Sequence, residues 1–516
     1  MSTIALRMLA FLILVMLAMT VTVAQQRGAG AYVADLSATD AGEARHFVTG
    51  LMVADLVASG LSAPAAFASD YALRLPVALP LSQVTLFHGI EAAWLGVLPP
   101  TTAAALLLPA LSTALLLVAA GWAAARATGP LPGVAAGFML SAVHPVREAS
   151  LSVGPDLPLA LALLLTALAL SGLGRTGRVR DAALLAAAGS LAVLLAPAGA
   201  LVIAVPPLAA LLSGRLGVMR RAGFWGPLIL WVGLAIVMAS VSGARPEPFA
   251  SAALVATFAG LRDAFGLLPV GLAGAGFLFT LGAGRQQAEG EEEEVDSSAM
   301  VPVAALAAAL GLAVALGLPA GTGVLLLAAP VAMLAAFGAM RVIGLLLSGW
   351  TIVSGLAVAL LLLASAMPAL LEPIHKGAIG MDAAAEAFLA LPSTAGSGPA
   401  VIVVAADAGG VGAFAAAVAQ RDPVGRIFVV DAARLPTEAP DGFLKRLQEI
   451  GASALVLAPG EAGTARAAAG GLGRIGRFPR ADGGGAVELF AVAFAPAAEA
   501  PPDPRIILRR LATPGS

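Results

Sequence analysis

Asp40-Ala41-Gly42-Glu43-Ala44-Arg45-His46 stands in the first loop after the first hydrophobic segment, and the chain beyond it stays mostly apolar to about residue 370. Charged residues beside a bilayer are costly unless solvated or paired, so so dense a polar run at that place calls for a chemical reason. It reads as an active site facing the aqueous side. The flanking sequence fits that placement. Ala44 to Leu61 carries Phe47, Leu51, Val53, Ala54, Leu56 and Val57 at helical spacing, and Leu81 to Trp94 repeats the pattern. Amphipathic helices lying in the membrane interface are expected from both stretches.

The composition sets the class. Of 516 residues, 59% are hydrophobic and 12% charged, with a mean hydropathy of +0.94, against about 25% charged in soluble domains. A polytopic α-helical membrane protein is the reading. A net charge of −2 gives no positive field for nucleic acid. The absence of cysteine excludes disulfides, thiolate catalysis and cysteine-bound zinc. Lys376 and Lys445 are the only lysines in a chain that otherwise uses arginine.

The apolar run Met8 to Ala24 follows Arg7 and exceeds the usual signal-peptide core of roughly 7–15 residues. It reads as an uncleaved first span. A loop over 25–90 follows, then spans near 101–124, 129–145, 156–173, 182–196, 198–213, 225–243, 264–283, 300–317, 320–339 and 342–370, for about eleven in all. The division at Pro197-Ala198-Gly199 could instead be one broken helix. With a cytoplasmic N-terminus, the inside loops hold Arg7, Arg126, Arg175, Arg178, Arg180, Arg215, Arg220, Arg221, Arg285 and Arg341. The outside loops hold only Arg147, Arg245 and Arg262. This asymmetry places Asp40 and everything after Glu372 outside the cytoplasmic membrane. The acidic run Glu289, Glu291 to Glu294 and Asp296 then reads as a solvated inside linker.

The chain thus divides into a membrane domain over 1–372 and a soluble outside domain over 373–516. In the latter, strands are expected at Val401–Ala405, Ile427–Asp431, Ala454–Ala458 and Ala486–Phe494, with helices at 409–420, 440–450 and 461–470. That alternation predicts a small, largely parallel α/β sheet. Gly410-Val411-Gly412-Ala413-Phe414-Ala415, with Asp431 ending the next strand, imitates a dinucleotide fingerprint. It is read as a structural turn, because Asp407-Ala408-Gly409 separates strand from glycines and the domain faces outward.

A second motif lies before the fourth span: His144-Pro145-Val146-Arg147-Glu148, then Gly154-Pro155-Asp156-Leu157-Pro158-Leu159. Asp156 could serve there simply as a helix-terminal charge. Together, the acidic first loop, the interfacial helices, a proline about eleven residues before Asp156-Leu157-Pro158-Leu159, the many spans and the small outside domain resemble the GT-C superfamily of integral-membrane glycosyltransferases. The pattern is nearest to bacterial members similar to protein mannosyltransferases and lipid A aminoarabinose transferases. The resemblance implies transfer of a sugar, with inversion, from a polyprenyl-phosphate donor to an acceptor hydroxyl on lipid, glycan or protein at the outer face of the cytoplasmic membrane. It maps the family's first-loop acid to Asp40, with Glu43 as rival, and the second acid to Asp156. The family's Tyr-Pro-Pro-like segment is blurred into Leu75-Pro76-Val77-Ala78-Leu79-Pro80-Leu81, which leaves donor and acceptor specificity open.

The chemistry assigns matching roles. A carboxylate at Asp40 can be the general base, and Arg147, Arg245 and Arg262 can hold a phosphate. A divalent metal, Mg or Mn, shared by Asp156 and phosphate oxygens would add charge neutralisation, though no cofactor is required. His46, His88 and His144 are candidate phosphate contacts or proton carriers. Two other classes remain: a transporter, disfavoured by the lack of ionisable residues in span centres, and a non-enzymatic scaffold whose outside domain binds a partner. In this cysteine-free chain, a cysteine placed near Ser297 should resist an impermeant thiol reagent in intact cells, while one near Ala462 should react. The opposite labelling would reverse the side assigned to the active site.

Overall fold

The computed structural model describes residues 3–37, 41–214, 222–242, 251–288, 300–347, 350–391, 399–435, 439–461, 463–481, 483–492 and 503–512. Asp40, Arg245, the acidic run from Glu289 to Asp296, and positions 297 and 462 lie outside these residues. The first helix, α1 (Thr3–Gly28), leads to three helices of the first loop, α2 (Ala41–Ala58), α3 (Pro64–Arg74) and α4 (Leu86–Val97). Then come α5 (Thr102–Thr128), α6 (Pro130–Ala142), the short α7 (His144–Ser150), α8 (Asp156–Thr176) and α9 (Val179–Leu195). A 3-10 stretch over Pro197–Ala204 precedes α10 (Val205–Leu212) and α11 (Ala222–Ser242). The apolar part closes with α12 (Ser251–Phe265), α13 (Leu267–Ala288), α14 (Met300–Ala315), α15 (Ala320–Leu346) and α16 (Thr351–Leu371).

Crossing a bilayer core of about 30 Å takes roughly 20 helical residues at about 1.5 Å each. Among the described residues, six helices are long and apolar enough: α1, α5, α8, α11, α15 and α16. A seventh results if α12 and α13 count as one span, bent by 115° at Gly266, whose φ of +82° suits glycine. The expected spans near 129–145, 198–213 and 300–317 correspond to shorter apolar helices, Pro130–Ala142, Pro197–Leu212 and Met300–Ala315. At Pro197 the helix is interrupted: a Cβ on Gly199 would stand 1.8 Å from the Ala192 carbonyl oxygen, so the chain turns against the end of α9.

Helix α15 is the central column, buried over 94% of its most apolar stretch, whereas α1 is buried over only 17% and presents its side to lipid. With no hydrophobic drive between helices in lipid, close backbone packing holds such a bundle together. Gly276 of α13 and Gly338 of α15 supply it: a Cβ on either would come within about 2 Å of the opposite carbonyl, Leu334 O at 2.1 Å and Leu272 O at 2.0 Å.

After α16 an extended segment over 373–380 leads to α17 (Met381–Leu389), and then to β1 (Ala400–Ala405), α18 (Ala408–Arg421), β2 (Ile427–Asp431), α19 (Pro440–Glu449), β3 (Ala452–Leu457), α20 (Thr464–Ala469), β4 (Gly473–Pro479), β5 (Ala486–Ala491) and α21 (Pro504–Ala512). The sheet order is β2-β1-β3-β5-β4. β1 pairs in parallel with β2 and β3, while β5 runs antiparallel to both β3 and β4. Four strands fall where the sequence placed them. β4 was not expected, because Gly473-Arg474-Ile475-Gly476-Arg477-Phe478-Pro479 lacks a buried face and sits at the sheet edge, where arginine and proline discourage further pairing.

The C-terminal unit does not stand apart from the membrane unit. Helix α18 lies against α2, and its glycines are the reason: a Cβ on Gly412 would be 3.2 Å from the Ala44 Cβ and 3.5 Å from Ser37 Oγ. Gly409 faces the Ser37 carbonyl, and Asp407 caps α18 by accepting the Gly410 N–H at 2.8 Å. The dinucleotide-like glycines thus serve helix packing. Asp35, buried in the first loop, accepts N–H bonds from Ile379, Gly380 and Asp382 and so caps α17 from outside. Arg421 grips Asp382 through two 2.7 Å bonds. Helix α2 is therefore covered by α18 on one side and by α4 on the other.

Candidate active site

The loop acid Glu43 lies in the first turn of α2. Its side chain and that of Lys376, 333 residues later, are both wholly buried. The lysine Nζ donates to both carboxylate oxygens, at 2.6 and 2.7 Å, and to the Leu151 carbonyl at 2.7 Å. The Ser37 N–H donates to Oε2 at 2.8 Å and the Val153 N–H to Oε1 at 3.1 Å. Burial pushes the Glu43 carboxyl up, opposed by the Lys376 ammonium and the two backbone donors. Every oxygen of this carboxylate is engaged, so in this arrangement Glu43 acts as an anchor. It ties α2 to the turn before α8 and to the extended segment after α16.

Three residues on, His46 meets His88 of α4, with His46 Nδ1 3.1 Å from His88 Nε2. The Thr85 N–H donates to His88 Nδ1 at 3.0 Å, and Phe87 stands edge-on to the His46 ring. Burial first, and the neighbouring His46 second, lower His88 to about 4, so it is neutral at ordinary pH. One turn beyond, Glu91 is buried against Gly50, where a Cβ would come 2.6 Å from Glu91 Oε2. Neither Glu91 oxygen has a hydrogen-bond partner among the described residues. Burial, aided by the Glu43 charge, raises this carboxyl to about 8. The seam between α2 and α4 therefore holds two neutral groups, His88 and Glu91, beside one charged pair.

The other candidates are distributed around this seam. Asp156 is the first residue of α8, at the helix's positive end. A Cβ on Gly154, two residues earlier, would lie 4.0 Å from His46 Cδ2, so His46 faces the opening of α8. Arg147 of α7 donates to the Ala369 carbonyl at 2.6 Å and lines a cavity of about 200 Å³ with Gln25, Leu151, Glu372 and His375. Burial lowers its guanidinium, and Glu372 partly restores it. His144 stands 3.8 Å from Glu148 one turn along the same helix. Arg262 pairs with its neighbour Asp263 at 2.8 Å on α12, which packs against α13, α14, α15 and α16. The structure thus brings Glu43, His46 and the opening of α8 together, and leaves Arg262 on a different part of the bundle. Among the described residues, no three His, Asp or Glu side chains converge as metal ligands.

Sequence reasoning passed over Lys376, Asp35, Glu91 and Gln26. Gln26 is fully buried and donates to the Leu106 and Ser150 carbonyls at 3.0 and 2.7 Å, joining α1, α5 and α7. The available signals were plain: one of two lysines in an arginine-using chain, and His88 and Glu91 spaced three apart on one helix.

No family model and no curated protein matches this chain. Solved structures do. ArnT from Cupriavidus metallidurans in the apo state is similar over 95% of this chain and 99% of its own, at 15% identity and TM-score 0.56. The same protein bound to undecaprenyl phosphate is similar over 96% and 99%, at 15% identity and TM-score 0.53. The apo oligosaccharyltransferase of Archaeoglobus fulgidus is similar over 86% of this chain and 69% of its own, at 11% identity and TM-score 0.52. In the complex of that oligosaccharyltransferase with Zn and sulfate, this chain spans 60% of the archaeal protein, with a TM-score of 0.48. The chain shares its overall fold with ArnT and with the archaeal oligosaccharyltransferase.

Two consequences can be measured. Glu43→Gln should cost roughly 3–5 kcal/mol, since it leaves a buried ammonium without its counter-charge. Glu43→Gln combined with Lys376→Met should recover much of the loss in a thermal melt of the purified protein. An additive double variant would mean the pair does not act as a unit. For Glu91, the folded-state pKa of about 8 lies above the ordinary carboxylate value of 4.5. The stability it contributes is therefore fully present below pH 4.5 and is lost as pH rises through 8. The melting temperature of Glu91→Gln relative to the parent should rise between pH 5 and pH 9, and a flat difference would place Glu91 in water.

Proposed function

We propose that this chain transfers a sugar from a polyprenyl-phosphate donor to an acceptor hydroxyl at the outer face of the cytoplasmic membrane. The observation that carries the reading is the Glu43–Val153 hydrogen bond of 3.1 Å, which joins the first turn of α2 to the turn that opens α8. Asp40 immediately precedes α2 in sequence and Asp156 begins α8, and the proposal takes these two as its acids. The likeness in fold to a protein solved with undecaprenyl phosphate supports a lipid-phosphate donor. The acceptor's class, whether lipid, glycan or protein, is left to experiment. The eleven spans of the arginine-based topology and an outside C-terminal unit belong to this proposal; among the described residues, six helices, or seven with the bent pair, are long and apolar enough to cross.

The reaction needs little covalent help from the protein. The acceptor oxygen bonds to the anomeric carbon as the bond from that carbon to the phosphate oxygen breaks, with inversion. The hydroxyl proton passes to a carboxylate, and polyprenyl phosphate leaves with the bonding electrons. Asp40 is assigned as the base, and Asp156 as the acid that orients the acceptor. Glu43, the rival base, is occupied by Lys376 in the described structure. Arg147 and, from the sequence alone, Arg245 are candidates for the phosphate; Arg262 is a weaker one because Asp263 already pairs with it. A divalent cation, Mg or Mn, would have to take most of its ligands from the donor, since the described residues bring no three protein ligands together. No step is assigned to it.

Asp40→Asn should be produced and inserted normally, yet lower turnover by roughly 10²- to 10⁴-fold and fail to restore the surface glycan or glycolipid lost from a deletion strain. Asp156→Asn should be similarly impaired. Full complementation by both variants at native expression would discard the glycosyltransferase reading in favour of a scaffold.

A further inference from the structure

We propose that α4 is a pH-released strap on the first loop: the neutral carboxyl of Glu91 lets α4 close on α2, and ionisation of that carboxyl parts the two helices. The strap uses neither Asp40 nor Asp156 and does not depend on the sugar-transfer reading above.

The closeness of the contact comes first. A Cβ on Gly50 would stand 2.6 Å from Glu91 Oε2, 2.7 Å from its Cδ and 2.8 Å from its Cγ, so the carboxyl rests on the α2 backbone itself. No layer of water fits between them. The residue is buried, and neither carboxyl oxygen has a hydrogen-bond partner among the described residues. A buried carboxylate without partners costs far more than a buried neutral acid. Contact at this place therefore selects the protonated form.

The groups around Glu91 do not supply a counter-charge. On α2, Glu43 works against a second carboxylate, and Lys376 already gives its ammonium to both Glu43 oxygens and to the Leu151 carbonyl. Arg45 and Asp55 of α2 are exposed. His46 of α2 stands against His88, and His88, three residues before Glu91 on α4, is held neutral by burial at about 4. Helix α5 meets α4 through the Trp94 Nε1 bond of 2.9 Å to the Ala104 carbonyl, near the start of α5, whereas Arg126 is in its last turn. The charges of α9, Arg180 and Asp181, are in its first turn. Among the described residues, an ionised Glu91 is thus left to water, and water reaches it only when α4 leaves α2. Helix α2 is pinned by the Glu43–Lys376 pair and by α18, so the shorter α4 is the part that moves.

The sign follows from the rise of the Glu91 carboxyl from its ordinary 4.5 to about 8. Between those values the closed form holds a proton that the open form has released, so each pH unit moves the balance about tenfold toward the open form. Above about 8 both forms are ionised, and the shift is complete.

Spin labels can test this in a chain without cysteine. The full-length protein in detergent carries Val57→Cys on α2 and Ile90→Cys on α4, both exposed positions. The label-to-label distance is read by pulsed electron resonance on samples frozen at about pH 5 and about pH 9, on either side of the window in which the proton is lost. With Glu91 in place, the distance should change by at least the width of a water molecule between the two and return when the pH is brought back. Glu91→Gln, which keeps the shape of the side chain and cannot ionise, should hold the pH 5 distance at both. An unchanged distance with Glu91 in place would overturn the proposal, and so would a pH-driven change that persists in Glu91→Gln.

Discussion

A glutamate and a lysine, both withdrawn from water and 333 residues apart, hold the first loop and the segment after α16 in register. Burying two charges is expensive, and the mutual attraction offsets the cost only when the remaining donors and acceptors are satisfied. Here they are. The carboxylate takes two backbone N–H groups beside the ammonium, and the ammonium gives a further bond to Leu151. The main chain on either side of Lys376 is tied as well, since its own N–H donates to the Ala29 carbonyl at 2.8 Å. The pair therefore links the end of α1, the start of α2, the turn before α8 and the segment after α16. Without it, the first loop and the C-terminal unit would share mainly apolar contact, which fixes a distance better than a register.

That link explains why α2 is not a helix lying open on the interface. The sequence shows one apolar face, and Phe47, Leu51 and Leu56 are buried as that face requires. The helix is covered beyond that face too, with Glu43 and Thr49 buried, because α18 brings glycines to it and α4 brings His88 and Glu91, while Arg45 and Asp55 stay exposed. Amphipathic spacing reports which side of a helix avoids water. It does not report that a second unit, hundreds of residues away, covers the other side.

The legible and illegible parts divide on the same ground. The long apolar runs, four of five strands and the first-loop helices α2 and α4 follow local periodicity, and local periodicity is written in the sequence. Helix α3 and strand β4 are short and mixed in polarity, so nothing local marks them. Spans near 129–145 and 300–317 were read from hydropathy, which sees composition; the 13- and 16-residue helices that result are set by Gly129, by Gly317 and by how their neighbours pack. For the candidate site, Glu43, His46 and Asp156 were legible as polar residues in costly places. Lys376 was not, since a single lysine near the end of the last span looks like an interfacial charge until its partner is known.

The arrangement also constrains where the reactive acid can be. Glu43 and Glu91 share one dry seam, and the described structure offers that seam a single ammonium. A lone ammonium can support one carboxylate; a second charge in the same low-dielectric space would be repelled by the first and left without solvent. The seam resolves this by ionising Glu43 and leaving Glu91 protonated, as the rise to about 8 records. Neither is then fitted to take a proton from an acceptor: Glu43 is held by Lys376, and Glu91 already carries a proton and is closed off against Gly50. His88 is held as well, its Nδ1 accepting the Thr85 N–H. On the proposed reading, the base is therefore sought outside the seam, among the acids that precede α2 and begin α8 in sequence.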